Sequence, residues 1–181
     1  AYFTGLGRAK RVVFFDTLLA RLSGEELEAV LAHELGHFKL KHVVKRIAWS
    51  AVLSLAFLAL LAWLVSRPWF YAGLGIPEAL VPQAMARPGV ALGLFFLALP
   101  VFTFVLAPLA SLYSRRHEFE ADAFAARTAS GPALVQALVK LYEDNAATLT
   151  PDPMHSAFYD SHPPAAVRVA RLQALAGAPD S

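Results

Sequence analysis

Two stretches of the chain carry no charge. Residues 47–66 (IAWSAVLSLAFLALLAWLVS) and residues 88–114 are rich in Leu, Ala, Phe and Val. A helix needs about twenty such residues to cross the hydrocarbon core of a bilayer. The pattern predicts two transmembrane helices, at 47–66 and 88–114. The competing reading is a buried hairpin in a soluble core, but core helices are usually shorter and keep a polar face. Pro100 and Pro108 fall inside the second stretch. They would break a soluble helix, whereas a membrane helix accommodates them as kinks when its neighbours satisfy the freed carbonyls.

Between the spans, residues 67–87 read as an interfacial loop. Trp69, Phe70 and Tyr71 suit the headgroup belt, and three prolines with two glycines preclude a long helix. Outside the spans the periodicity changes. Residues 1–4 and 11–15 are short β-favouring runs around Gly5, Leu6, Gly7 and a basic patch at 8–11, which predicts a small N-terminal β-hairpin. Ser23 with Glu26 three residues on is a capping box, opening a helix at about Gly24. Leu27, Val30, Leu31, Leu35 and Phe38 form its apolar stripe, and with no breaker before the first span it is expected to run straight into the membrane. Helices are expected from 115 to about 129, from 132 to about 145 and over 165–176, the last amphipathic. Residues 148–164, with four prolines, read as irregular.

Apolar residues make up 57% of the chain and charged residues 17%, with a mean hydropathy of +0.49. A chain this apolar buries enough surface to offset its ordering entropy, so disorder is excluded. The absence of cysteine removes a disulfide scaffold, a thiolate metal site and a cysteine nucleophile together. A net charge of +2 is too small to argue for nucleic acid. Two spans return the chain to its starting side. Lys39, Lys41, Lys45, Arg46, Arg115 and Arg116 flank the spans there, against Arg67 and Arg87 in the loop, so residues 1–46 and 115–181 are expected on the cytoplasmic side.

The chemistry sits on the first helix, at His33-Glu34-Leu35-Gly36-His37. Residues four apart share a helix face, so both imidazoles can reach one cation. Glu34 lies about 100° round the axis. That suits a carboxylate that does not ligate but takes a proton from an attacking water. Six His and eight Glu in 181 positions make a chance HExxH a roughly one-in-a-hundred event. His42 falls five residues past His37, off the ligand face, and reads as part of the basic flank. Two histidines leave a catalytic zinc short of a third protein ligand. Residues 114–122 (SRRHEFEAD) offer candidates: Glu118 can ligate, and Asp122, on the same face, can accept the free N–H of a ligand histidine. Spacing alone does not choose among His117, Glu118, Glu120 and Asp122.

HELGH, followed after two spans by SRRHEFEADAFA, resembles the integral-membrane zinc metalloproteases of the type I CAAX prenyl endopeptidase family, whose pattern is HExxH with a downstream SRxxExxAD. AYFTGLGRAKRVVFFDTLL resembles the segment before the metal helix. Ser161-His162-Pro163-Pro164 with Arg168, then residues 170–175 (ARLQAL), resembles the C-terminal signature. These pieces favour this family over the related heat-shock membrane protease HtpX. The resemblance implies a mainly α, gluzincin-like, membrane-embedded metalloprotease with one Zn2+ per chain. It implies His33, His37 and Glu118 as ligands, Glu34 as general base and acid, and Asp122 behind a ligand histidine. It also implies His162 and Arg168 as groups that steady the oxyanion and substrate. His117 and His155 are read as having no part in the chemistry.

The family has an asparagine immediately before AYF, a residue this chain does not show, and several further spans upstream. The chain therefore reads as a single peptidase unit from the C-terminal part of a longer protein. The edge at Tyr2, Phe3 and Thr4 can pair with an extended peptide substrate. The expected partners are a peptide or protein substrate and the lipid bilayer. The expected location is a prokaryotic inner membrane, or the endoplasmic reticulum if the source is eukaryotic. In eukaryotes the resemblance implies removal of a tripeptide after a prenylated cysteine. The alternatives are an HtpX-like quality-control protease and a non-catalytic membrane scaffold that keeps the fold.

Overall fold

Ser23 opens the helix that carries the histidines, and both halves of its capping box form. Its hydroxyl accepts from the Glu26 N–H, and the Glu26 carboxylate accepts from the Ser23 N–H at 2.8 Å. The computed structural model describes residues 2–4, 11–13, 16–144, 152–160 and 162–177. Its elements are strands β1 (Tyr2–Thr4) and β2 (Arg11–Val13) and nine helices among the described residues. These are α1 (Asp16–Arg21), α2 (Gly24–Lys39), α3 (His42–Leu64), α4 (Pro68–Gly73), α5 (Val81–Met85), α6 (Pro88–Thr128), α7 (Gly131–Asp144), α8 (Pro153–Tyr159) and α9 (Ala165–Ala176). A single 3-10 turn, Glu78–Leu80, precedes α5. The strands pair antiparallel, Tyr2 with Val13, Phe3 with Val12 and Thr4 with Arg11. The expected turn at residues 5–7 and the basic patch at 8–10 lie outside the described residues, as do the side chains of Tyr2, Phe3 and Thr4.

The chain forms two compact units. One is residues 44–106. It contains most of α3 and the apolar half of α6, the two helices among the described residues that are long and apolar enough to cross a membrane. Only 6% and 11% of their most apolar windows is buried. Ile47, Val52, Leu55, Leu97, Val101 and Val105 all point outward. Core helices of a soluble protein would hide such residues, so this surface matches a lipid surround. The connection between the spans is not the loop expected. Pro68 and Pro82 stand in the first turns of α4 and α5, where a missing N–H costs nothing. Of the three aromatics expected at the interface, Trp69 is exposed while Phe70 and Tyr71 are buried with Leu64, Val81, Ala84 and Phe95. The Tyr71 hydroxyl donates to the Val65 carbonyl at 2.9 Å, which satisfies its buried polar end.

The other unit comprises residues 1–43 and 107–181. Its core joins Leu18 and Leu22, then Ala29, Val30 and Ala32 of α2, Ala125 of α6, Leu134 and Leu138 of α7 and Leu172 of α9. Two boundaries here differ from expectation. The helix of the histidines does not run on into the first span. It ends at Lys39, and Lys41 adopts a left-handed conformation (φ 57°) before α3 starts at His42. The second span, by contrast, does not stop near residue 114. It continues as one helix to Thr128 through Pro100 and Pro108. Within the stretch read as irregular, Asp152 caps the short helix α8 by accepting from the His155 N–H at 2.9 Å.

Candidate metal centre

Helices α2 and α6 meet where α2 has no side chain. A Cβ on Gly36 would stand 3.2 Å from the Ala121 Cα and 3.2 Å from Phe124 Cβ. With glycine the helices come a few tenths of an ångström nearer than a methyl would comfortably allow, and the HELGH face lies against the segment that begins at Arg115. On the α2 side of that contact His33 Nε2 and His37 Nε2 lie 3.1 Å apart. Glu118 Oε2 is 3.7 Å from His33 Nε2, and its Oε1 is 3.4 Å from His37 Nε2.

These distances test whether a cation fits. A tetrahedral zinc with bonds of about 2.0–2.1 Å to nitrogen and oxygen places its donor atoms about 3.3 Å apart. The His33–His37 separation is close to that value, and the two oxygens of Glu118 each face one histidine, Oε2 at 3.7 Å from His33 and Oε1 at 3.4 Å from His37. The chemistry of the donors agrees. His33 Nδ1 lies 2.9 Å from Asp122 Oδ1 without the alignment of a hydrogen bond; because a carboxylate only accepts, a small turn of the ring that puts the proton on Nδ1 completes the bond and leaves the Nε2 lone pair for a cation. Burial pushes the His37 pKa down to about 4, with His33 adding to the effect. His37 is therefore neutral at pH 7, the form that ligates. The His33, His37 and Glu118 set fits the metal that the sequence pattern implies.

Glu34 is half-buried on the same helix. Burial pushes its carboxyl above the ordinary range, while His33 opposes the rise, and Glu118 and His162 also act on it.

Asp122 is 2% exposed and serves two partners. Besides His33, it accepts from Arg168 Nε at 2.8 Å and from a second guanidinium nitrogen at 2.6 Å. Arg168 is itself buried. The two residues expected to steady an oxyanion and the substrate stand in different surroundings. Arg168 has two nitrogens on Asp122, with the third 3.6 Å from Glu118 Oε2. His162 has a side chain 63% exposed, with Nδ1 3.1 Å from Glu118 Oε2. Tyr2, Phe3 and Thr4 are placed in β1 by their backbone alone.

Three residues at the site hold places that the sequence reading did not give them. His42 is buried against His37, with the two Nδ1 atoms 3.0 Å apart, and is no member of a solvated basic flank. On an unbroken helix a residue five positions on points about 140° away; the break at Lys41 brings it back. Glu120 was one of four open choices for a ligand, and it bonds His42 Nε2 at 3.1 Å. His117 is buried and stacked on His42, so it too is part of this region. His155 is exposed on α8. A groove of about 960 Å³ runs beside the site, lined by Leu112, Arg115, Phe119, Arg127, Pro163 and Arg171 among others; its lining does not include His33, Glu34, His37 or Glu118.

A family model, peptidase family M48, matches residues 1–176. The chain belongs to this family. Within it, the relatives lie with the CAAX prenyl endopeptidases. The chain is 33% identical to CAAX prenyl protease 1 of Saccharomyces cerevisiae over 181 residues, covering 95% of this chain and 40% of that protein. It is 34% identical to the CAAX prenyl protease 1 homolog of Homo sapiens, covering 97% and 43%. The crystal structure of S. mikatae Ste24p superposes with a TM-score of 0.79 at 31% identity, covering 94% of this M48 chain and 42% of that one. The chain thus spans about two fifths of the length of these relatives.

Proposed function

We propose that this chain carries the catalytic site of a zinc-dependent membrane endopeptidase. The observation that carries the reading is the convergence of His33 Nε2, His37 Nε2 and a Glu118 carboxylate within 3.7 Å across two helices. Those three residues would hold one zinc. Bound there, the zinc supplies Lewis acidity, polarising a carbonyl and lowering the pKa of water toward about 7.

The residues do the rest. Glu34 takes the proton of the attacking water and returns it to the leaving amine. Asp122 locks the His33 tautomer, and Arg168 holds Asp122. His162, open to solvent beside Glu118, donates to the developing oxyanion. The β1 edge at Tyr2, Phe3 and Thr4 pairs with an extended substrate. Substrates are peptides or proteins that reach the site from the membrane, as the two exposed apolar helices favour. The excess of Lys and Arg flanking the spans on the side of the site favours the cytoplasmic face. The names of the relatives favour a C-terminal CAAX-type substrate over a quality-control role.

The test pairs metal analysis with cleavage of a peptide library by protein purified in detergent. One zinc per chain is expected, with cleavage lost on chelation and restored by zinc. Glu34→Gln retains the zinc and loses about 10²–10⁴-fold in rate. Zinc uptake without cleavage of any library member would favour a scaffold instead.

A further inference from the structure

Behind the first group of ligand-type side chains lies a second. His42, His117 and Glu120 bring ligand atoms within 4.8 Å of one another. By residue type alone this is a second metal site. The proton inventory of the imidazoles says otherwise. A neutral imidazole has one N–H and one lone pair. If His37 turns the lone pair of Nε2 toward His33 and Glu118, its Nδ1 bears the proton. That Nδ1 lies 3.0 Å from His42 Nδ1, which must accept. His42 Nε2 then bears a proton and donates to Glu120 Oε2 at 3.1 Å. Each donor along this path meets an acceptor without a cation. The converse fails. A metal on His42 Nε2 would leave the His42 proton on Nδ1, force His37 Nδ1 to accept, and put a proton on the His37 nitrogen that faces Glu118. With neutral imidazoles, the two occupancies exclude each other.

We propose that His42 and Glu120 are positioning residues that fix the tautomer and ring orientation of His37, as Asp122 does for His33. The surroundings hold the pair in place. Arg116 Nε donates to Glu120 Oε1 at 2.9 Å. The His117 ring stacks on His42, with centroids 4.2 Å apart and planes 10° apart, and Tyr113 packs edge-on against His117. The left-handed turn at Lys41 makes the contact possible by ending α2 before His42. The inference rests on the zinc reading above. It adds a second buttress, built from a residue of α3 and a residue of α6.

The experiment measures zinc affinity by chelator competition and imidazole protonation by nitrogen NMR on the zinc-loaded protein. His42→Ala and Glu120→Ala should each weaken zinc binding about 10–100-fold. Glu120→Gln, whose amide oxygen still accepts from His42, should retain most of the affinity. The NMR spectrum should show His42 protonated at Nε2 and bare at Nδ1. Glu120 is only partly buried, so Glu120→Ala decides the matter if His42→Ala does not fold. Unchanged affinity in Glu120→Ala and in folded His42→Ala would overturn the proposal. So would a second tightly held zinc that His117→Phe abolishes. Failure of the underlying zinc reading looks different: the wild type takes up no zinc, or His33→Ala and His37→Ala bind it as well as wild type.

Discussion

Asp122 faces His33 across the α2–α6 contact, with Oδ1 2.9 Å from Nδ1, and the same carboxylate holds the buried Arg168 by two further bonds. One side chain therefore orients a candidate ligand and neutralises a cation that has little access to water. Removing it should be felt twice. Asp122→Ala is expected to weaken zinc binding about 10–100-fold, because the His33 ring loses its anchor. It should also destabilise the fold by roughly 3–5 kcal/mol, because the Arg168 charge is left buried without its main partner. Zinc competition and thermal unfolding read the two effects separately. A variant that lost neither would show that the contact is incidental.

His162 and Arg168 should separate in the same assays. His162 is exposed, so His162→Ala is expected to fold and bind zinc nearly as wild type while the cleavage rate falls about 10²-fold, the scale of one oxyanion donor. Arg168→Ala should instead lower the unfolding temperature and weaken zinc binding, since it acts through Asp122. Equal behaviour of the two variants would count against this division.

Gly36 sets the spacing between the helices. Adding one methyl puts carbon 3.2 Å from the Ala121 backbone, so α2 or α6 must shift by a few tenths of an ångström. Gly36→Ala should weaken zinc binding even though alanine favours the helix by up to about 1 kcal/mol. Gly36→Val should abolish binding. Zinc affinity at wild-type level in Gly36→Val would mean that the helices separate without disturbing the site.

Glu26 predicts a pH dependence away from the site. Its carboxylate accepts from the Ser23 N–H and pairs with Lys140 at 2.7 Å, and the lysine holds its pKa below the ordinary 4.5. A carboxyl depressed by folding adds stability that is present above its unfolded pKa and is lost as pH falls through the folded value. Wild type should therefore lose more stability than Glu26→Gln as pH drops below about 4.5. At pH 7 the Glu26→Ala variant should be less stable by about 1 kcal/mol, the scale of a helix cap. Parallel pH profiles for wild type and Glu26→Gln would refute the linkage.

Much of this was legible in one dimension because the signals are local. An uncharged run of twenty residues, a Ser-x-x-Glu box and two histidines four apart each reflect a helix period or a cap that the chain enforces within a few residues. Glu118 was present as one of four nearby candidates, and spacing left the choice open. Its position opposite His33 and His37 depends on the α2–α6 approach, which is a property of packing.

The misread pieces share a cause. The turn at Lys41 carries no glycine, asparagine or proline to announce it, so α2 read as continuous and His42 as solvated. Phe70 and Tyr71 have the composition of an interfacial belt, yet they close a small core against Val81 and Phe95.

The sequence by itself determined where the long helices lie, which two segments are apolar enough for lipid, and which residues can bind a metal, because periodicity and side-chain chemistry are written locally. Tertiary structure decided which carboxylate meets the two histidines, which acid orients His33, and that His42 stands behind His37. Those relations join residues as many as eighty-nine positions apart, from His33 to Asp122. They depend on a glycine-wide helix crossing and a left-handed turn that no local pattern encodes.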